Sequence, residues 1–281
     1  MSVTIVTDSA ADLPPELTHE LGIIVVPLTI RFGAEELVDG VDLTPTEFWE
    51  RCGASTALPQ TAAPSPGAFG QAFEQARGSG ADAAICLSLS GALSATIEAA
   101  RAGAAALKTD FPVRFVDSRS ITLGQGLMAL AGARMARAGK STDEIVEALE
   151  AQVARTKVYG AIDTLDNLRK GGRIGAAAAA FGSLLSFKPV ITIVDGAVEA
   201  DSRQRTRIRS LRYLVTKLRE GAVLDQVGVV HGDAPDLETF LGMVDEVLPR
   251  SAVVVSDLGP VIGTHAGVGA IGITFQARTG G

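Results

Sequence analysis

The feature that most constrains this chain is a recurring order: a short apolar run, a few polar loop residues, then a helical stretch. Val3 to Val6 reads as a buried strand with Thr7-Asp8-Ser9 at its carboxyl end, followed by a helix over Ala11 to Leu21 that Gly22 stops. Ile23 to Ile30 is a second apolar strand, and Ala81 to Leu87 and Val113 to Val116 repeat the pattern. Strands alternating with helices build βαβ units around a parallel sheet. Ligands in such folds sit beyond the carboxyl ends of the strands. Asp8, Ser88 to Ser94 and Asp117-Ser118 are therefore candidate pocket loops.

Arg31 to Gln60 reads as an insertion with its own turns, and Leu58 to Gly67 as a Pro-rich loop. Ser141 and Glu144 form a capping-box pattern that opens a helix reaching about Thr156. Beyond it the style changes. Asn167 to Lys170 run into a Gly171-Gly172 break, and Ala176 to Ala180 suit a helix. Val190 to Val194 and Ala197 to Ala200, joined by Asp195-Gly196, read as a β-hairpin. Arg207 to Arg219 and Leu237 to Leu248 read as helices; Val227 to Val230, Ala252 to Val255 and Ile271 to Phe275 read as strands. The expected fold class is α/β in two domains: an N-terminal parallel-sheet domain over 1–157, with the insertion at about 31–60, and a C-terminal α/β domain over 158–281.

The 281 residues are 47% hydrophobic and 20% charged, which fits a globular chain and argues against disorder. A net charge of −7 argues against a dedicated nucleic-acid binder. The opening Met1-Ser2-Val3-Thr4 has no basic, apolar or cleavage-site pattern of a secretory signal. The longest weakly polar stretch, Ile174 to Phe187, falls short of the roughly 20 apolar residues that cross a bilayer. A cytoplasmic location is expected. Cys52 and Cys86 form no CxxC and have no histidines beside them, so neither a disulfide framework nor a metal site is expected. Cys86 suits a small core residue.

Several motifs carry two readings. Gly267-x-Gly269-x-x-Gly272 has the spacing of a dinucleotide fingerprint, but the residues after it look like a strand rather than a long helix. The serines of Ser88 to Ser94 would need a base to act as nucleophiles. His265 is the histidine placed to help, whereas His19 sits mid-helix and His231 ends a strand. Ser94 also suits a helix cap, and Thr61 a turn before Pro64. Gly171-Gly172-Arg173 is either a helix stop or a close backbone approach with a guanidinium offered to an anion. Arg203, Arg205, Arg207 and Arg209 recur every second residue, which in an extended segment places them on one face. That face is either simply solvated or a docking patch for an anionic partner.

Taken in order along the chain, these pieces resemble the DegV family of fatty-acid-binding proteins. The resemblance rests on Thr7-Asp8-Ser9, Leu58 to Phe69, Ser88 to Thr96, Asp117-Ser118, Asp163 to Ile174 with its Lys170-Gly171-Gly172-Arg173, Lys188-Pro189, Asp195-Gly196, Arg205-Thr206-Arg207, His231-Gly232-Asp233 and Gly263-Thr264-His265 through Gly269. Ala62, Gly91, Ala95 and Val268 depart from the pattern, which implies a head-group pocket with fewer hydroxyls. The resemblance implies a two-domain fold with a long-chain fatty acid between the domains. It further implies a carrier without catalytic residues, a cofactor or a metal, which presents the lipid to a separate fatty acid kinase. Thr61, Ser94 and Ser90 would meet the carboxylate, His265 and Arg173 would line the polar mouth, and Arg205 and Arg207 would face the kinase. A monomer is expected, since no sustained apolar surface pattern suggests an obligate interface. The competing expectations are a Ser-dependent acyl hydrolase and a lipid-sensing regulatory protein.

Overall fold

A computed structural model describes residues 2–55, 57–181, 187–221 and 226–277. The strands are β1 (Val3–Asp8), β2 (Ile24–Val26), β3 (Thr29–Phe32), β4 (Glu35–Val38), β5 (Gln60–Ala62), β6 (Ala83–Ser88), β7 (Val113–Asp117), β8 (Thr156–Ala161), β9 (Lys188–Val194), β10 (Ala197–Gln204), β11 (Val227–His231), β12 (Val253–Asp257) and β13 (Ile271–Gln276). The helices are α1 (Pro15–Leu21), α2 (Pro45–Ala54), α3 (Pro66–Gly78), α4 (Thr96–Ala105), α5 (Thr122–Arg137), α6 (Thr142–Val153), α7 (Asp166–Lys170), α8 (Ala177–Phe181), α9 (Arg207–Glu220), α10 (Leu237–Asp245) and α11 (Pro260–Ala266).

The first domain holds a parallel sheet in the order β2-β1-β6-β7. All six residues of β6 are buried, as strands covered on both faces must be. The second domain holds a six-stranded mixed sheet, β10-β9-β8-β13-β11-β12, in which only β11 and β12 run parallel. The Asp195-Gly196 turn has positive φ at both residues, 49° and 83°, the twist that a two-residue hairpin requires.

Some expectations give way. The helix foreseen from Ala11 starts only at Pro15, because Asp12 adopts a left-handed conformation and Pro14 cannot continue a turn. The single strand foreseen over Ile23 to Ile30 is broken at Pro27, and its halves enter different sheets. The segment 31–60 and the Pro-rich loop after it hold more order than expected: β4, β3 and β5 form a third, antiparallel sheet, with α2 capped by a Thr44–Glu47 box. The arginines at 203 to 209 do not share a face, since the chain turns from β10 into α9 between them.

Helix α5 joins the two domains. Its first twelve residues are all buried, and it packs on β1 and β6 of one sheet and on β8, β11 and β13 of the other. Gly124 makes this approach possible, since a side chain there would press within 2.6 Å of Val158. One continuous apolar cluster accordingly runs from Ile5 through Leu123 and Leu127 to Ile191 and Val230.

Candidate functional site

Leu28 ahead of β3, the β5 strand, the loop after β6, Ile121 ahead of α5, the β9–β10 hairpin and α11 surround a cavity of about 200 Å³; of the foreseen pocket loops, Asp8 and Asp117-Ser118 are not in its lining. Its apolar walls include Leu28, Leu89, Leu93, Ile121, Ile191 and Ile262. Its polar lining is Thr61, Ser94, Arg173 and His265. A second, almost wholly apolar cavity of about 50 Å³ shares Ile121, Ile191, Ile262 and Ala266 with it.

Each polar group is set by local structure. Thr61 lies in β5, paired with Ile30 of β3, and its hydroxyl is 3.3 Å from Nε2 of His265. His265 is in the last turn of α11, with its Nδ1 buried and without a partner. Burial first, and the nearby Arg173 second, push the imidazole down to about 4, so it is neutral at neutral pH. At the mouth His265 thus offers hydrogen bonding, and the charge belongs to Arg173. That guanidinium donates to the carbonyls of Leu93 at 3.2 Å and Gly171 at 2.8 Å, tying the Ser88–Ser94 loop to the Gly171-Gly172 turn. The Gly171-Gly172 pair has a structural role at both ends. It ends α7, and Gly171 leaves room for the His265 ring, which a methyl would strike.

Ser94 does not cap α4, whose N-cap is Ala95 with no side-chain bond; its hydroxyl lies 2.8 Å from that of Thr96. Ser90 is placed differently from expectation. It does not line the cavity, and its buried hydroxyl donates to the carbonyl of Gly196 at 2.7 Å and accepts from the amide of Ala92. Ser90 therefore pins the β9–β10 hairpin to the first domain, helped by the exposed Arg119–Asp195 pair. Arg207 is also placed differently. Its half-buried guanidinium binds both oxygens of Asp236, at 2.9 and 3.0 Å, and the carbonyl of Gly269 at 2.6 Å, so it braces the second domain rather than offering a free docking group. Arg205 is exposed in the turn before α9.

Of the departures, Ala62 and Ala95 line the cavity and make that wall apolar. Gly91 does not; its amide meets Asp117, and a side chain there would stand 2.9 Å from that carboxylate. Val268 is exposed at 60% beside a separate surface pocket. The glycines at 267, 269 and 272 link α11 to β13, not a strand to a helix.

The arrangement suits an amphiphile with a single anionic end. The nearest hydroxyl–imidazole pair is Thr61–His265, and no carboxylate orients Nδ1 as a nucleophilic relay requires. Among the described residues no group of His, Cys, Asp and Glu is disposed to hold a metal ion, and no helix is long and apolar enough to cross a membrane. Sequence reasoning missed the contributions of Leu28, Ile121 and Val261 to the wall; their apolarity was visible, but what they face depends on three sheets meeting.

The DegV family model, described as an uncharacterised protein family, matches residues 2–278. A DegV domain-containing protein of Streptomyces coelicolor is 37% identical over 280 residues, covering 98% of this chain and 99% of the relative. One from Deinococcus radiodurans is 38% identical over 288 residues, covering 98% and 99%. Among solved structures, a DegV family protein from Thermus thermophilus described as binding fatty acid superposes with a TM-score of 0.90 at 31% identity, over 99% of this chain and 100% of that one. A stearic-acid-binding protein from Eubacterium ventriosum gives 0.87 at 27% identity, over 97% and 98%. With the family model spanning nearly the whole chain and relatives this similar end to end, the chain belongs to the DegV family.

Proposed function

We propose that this protein binds a long-chain fatty acid between its two domains and presents the carboxylate to a separate fatty acid kinase. The observation that carries the reading is a largely apolar cavity whose polar groups are confined to Thr61, Ser94, Arg173 and His265. The relatives described as fatty-acid binding support it. Burying a tail of about 16 carbons at about 0.8 kcal/mol per methylene contributes roughly 10 kcal/mol, and this is nearly blind to orientation. The head must therefore set direction. The Thr61 and Ser94 hydroxyls can donate to a carboxylate, the neutral His265 can take either role, and the Arg173 charge favours the ionised acid. That ionised form is the nucleophile toward the terminal phosphate of a nucleotide. In this reading the carrier works as a cytoplasmic monomer, without a cofactor or a catalytic residue, and the exposed Arg205 faces the kinase.

Native mass spectrometry of the purified protein tests binding. One fatty acid per chain, released on denaturation and lost with Thr61→Val plus Ser94→Ala, is the expected result. A bare polypeptide mass that also takes up no added palmitate would sink the reading. For the kinase step, a fatty acid kinase from the same source, with ATP, should form acyl phosphate from the bound acid. Equal rates with and without this protein would refute presentation.

A further inference from the structure

The turn that closes β1 reaches three separate walls of the cavity. Oδ2 of Asp8 accepts from the amide of Leu89 at 2.9 Å, in the loop that ends at Ser94. The hydroxyl of Ser9 accepts from the amide of Leu28 at 3.0 Å, just before β3, the strand that pairs with Thr61. Oδ1 of Asp12 accepts from the amide of Gly259 at 3.0 Å, one residue before α11 and His265. Of the three, only the Asp12 bond crosses from one domain to the other.

The Asp12 contact is built, not incidental. Asp12 is 7% exposed and held in the left-handed region at φ 47°. A side chain on Gly259 would stand 2.6 Å from Oδ1, so the backbone comes as close as glycine permits. Helix α11 has no side-chain cap and opens with Pro260, which lacks an amide hydrogen. The Gly259 amide, at the N-cap position just ahead of that proline, is the donor that Asp12 holds. The preceding residue is anchored independently, by the Leu258 amide to the His231 carbonyl at 2.7 Å. Loss of the Asp12 bond would then free the helix start while leaving the end of β12 tied.

We infer that Asp12 is a positioning residue for the carboxyl end of the site: by holding Gly259 it sets where α11, and with it His265, stands opposite Thr61 and Ser94. The inference rests on the fatty-acid reading above. Burial disfavours the charged form of the Asp12 carboxyl and raises it well above its ordinary range, opposed by Thr122 and the Gly259 amide and reinforced by Asp39 and Asp8. Asparagine is then a close replacement that keeps the accepting oxygen.

The test loads delipidated protein with palmitate labelled with carbon-13 at the carboxyl and reads that resonance together with affinity. Hexadecanol, which keeps the tail and lacks the carboxylate, is the control. Asp12→Ala should move the carboxyl resonance and weaken palmitate about tenfold, while hexadecanol stays within about twofold. Asp12→Asn should retain both wild-type values. Gly259→Ala, at a backbone angle open to alanine, attacks the same contact from the other side and should match Asp12→Ala. It also reads the contact alone if Asp12→Ala does not fold. An unmoved resonance in a folded variant, an equal loss for palmitate and hexadecanol, or failure of asparagine to rescue would each overturn the positioning role. Wild-type protein that takes up no palmitate is a separate outcome: it removes the binding reading itself, and this inference with it.

Discussion

Replacing Gly171 by alanine should move His265 while leaving the backbone alone. Gly171 has φ −77° and ψ −6°, a conformation open to any residue, so the change carries no backbone strain of its own. The added methyl would stand 2.7 Å from Cε1 of His265 and nearer still to Nδ1, where ordinary contact begins at 3.4 Å. The ring must retreat by the better part of an ångström, which disturbs its dry seat and its contact with Thr61. In the wild-type protein, burial and then Arg173 lower the imidazole from 6.5 to about 4, equivalent to about 3 kcal/mol. The unfolded chain takes up this proton more readily than the folded one, so this contribution is intact above pH 6.5 and is lost as pH falls toward 4. Asp8 and Asp39 act in the opposite sense: burial raises both to about 6, so their contribution is lost as pH rises from 3.8 through that value. The informative quantity is therefore the difference between Gly171→Ala and wild type, in which the shared carboxylates cancel. Denaturant unfolding of delipidated protein at about pH 7 should show the variant about 1–2 kcal/mol less stable, from crowding. At about pH 4.5 the gap should narrow by about 1 kcal/mol or more, because the displaced imidazole titrates nearer its ordinary value. Imidazole nitrogen resonances followed with pH read the same change directly. A folded variant whose His265 still titrates near 4, with an unchanged gap, would refute the claim that the bare Gly171 surface holds the ring in its dry position.

Arg207→Ala leaves Asp236 and the Gly269 carbonyl without their partner and should lower stability by about 2–3 kcal/mol in chemical denaturation; a loss under about 0.5 kcal/mol would show that the pair is merely a surface contact. Ser90→Ala should speed amide exchange along β9 and β10 relative to β6, at a cost of about 1–2 kcal/mol, because the Gly196 carbonyl loses its donor. Unchanged exchange in the hairpin would mean that the pin is not what holds it. Ser141→Ala removes half of a complete capping box at α6 and should cost about 1 kcal/mol without altering lipid content, as mass spectrometry would show.

How far the sequence could be read depended on whether a feature is local. The capping box at Ser141, the Asp195-Gly196 hairpin and the buried strands at 3 and 83 are written within a few residues, and each forms where its pattern lies. Pro14 and Pro27 were visible too, but their power to break a helix and a strand was outweighed by the apolar runs around them. Thr61, Ser94, Arg173 and His265 line one cavity, although nothing in their spacing sets them side by side. Ser90 and Arg207 show the limit of such reasoning. Ser90 belongs to a Ser-rich loop that brings Leu89, Leu93 and Ser94 to the cavity wall, and its own hydroxyl is turned to a hairpin more than 100 residues away. Arg207 sits in an every-second-residue series that holds only while the chain stays extended, and it stays extended no further than Gln204.

Helix α5 bears on how this protein can be divided. Its buried surface faces both sheets, and the apolar cluster it threads has no seam between the domains. Cutting the chain near residue 157 would strip the second sheet of the helix that covers β11 and β13, leaving each fragment with a raw apolar face. The two halves are thus not interchangeable cassettes: a chimera pairing the first half of one relative with the second half of another inherits a mismatched helix at its centre. Exchanging β5, the hairpin or α11, which border the cavity, is the expected way to change its lining, whereas a cut near 157 falls inside β8 and is expected to fail.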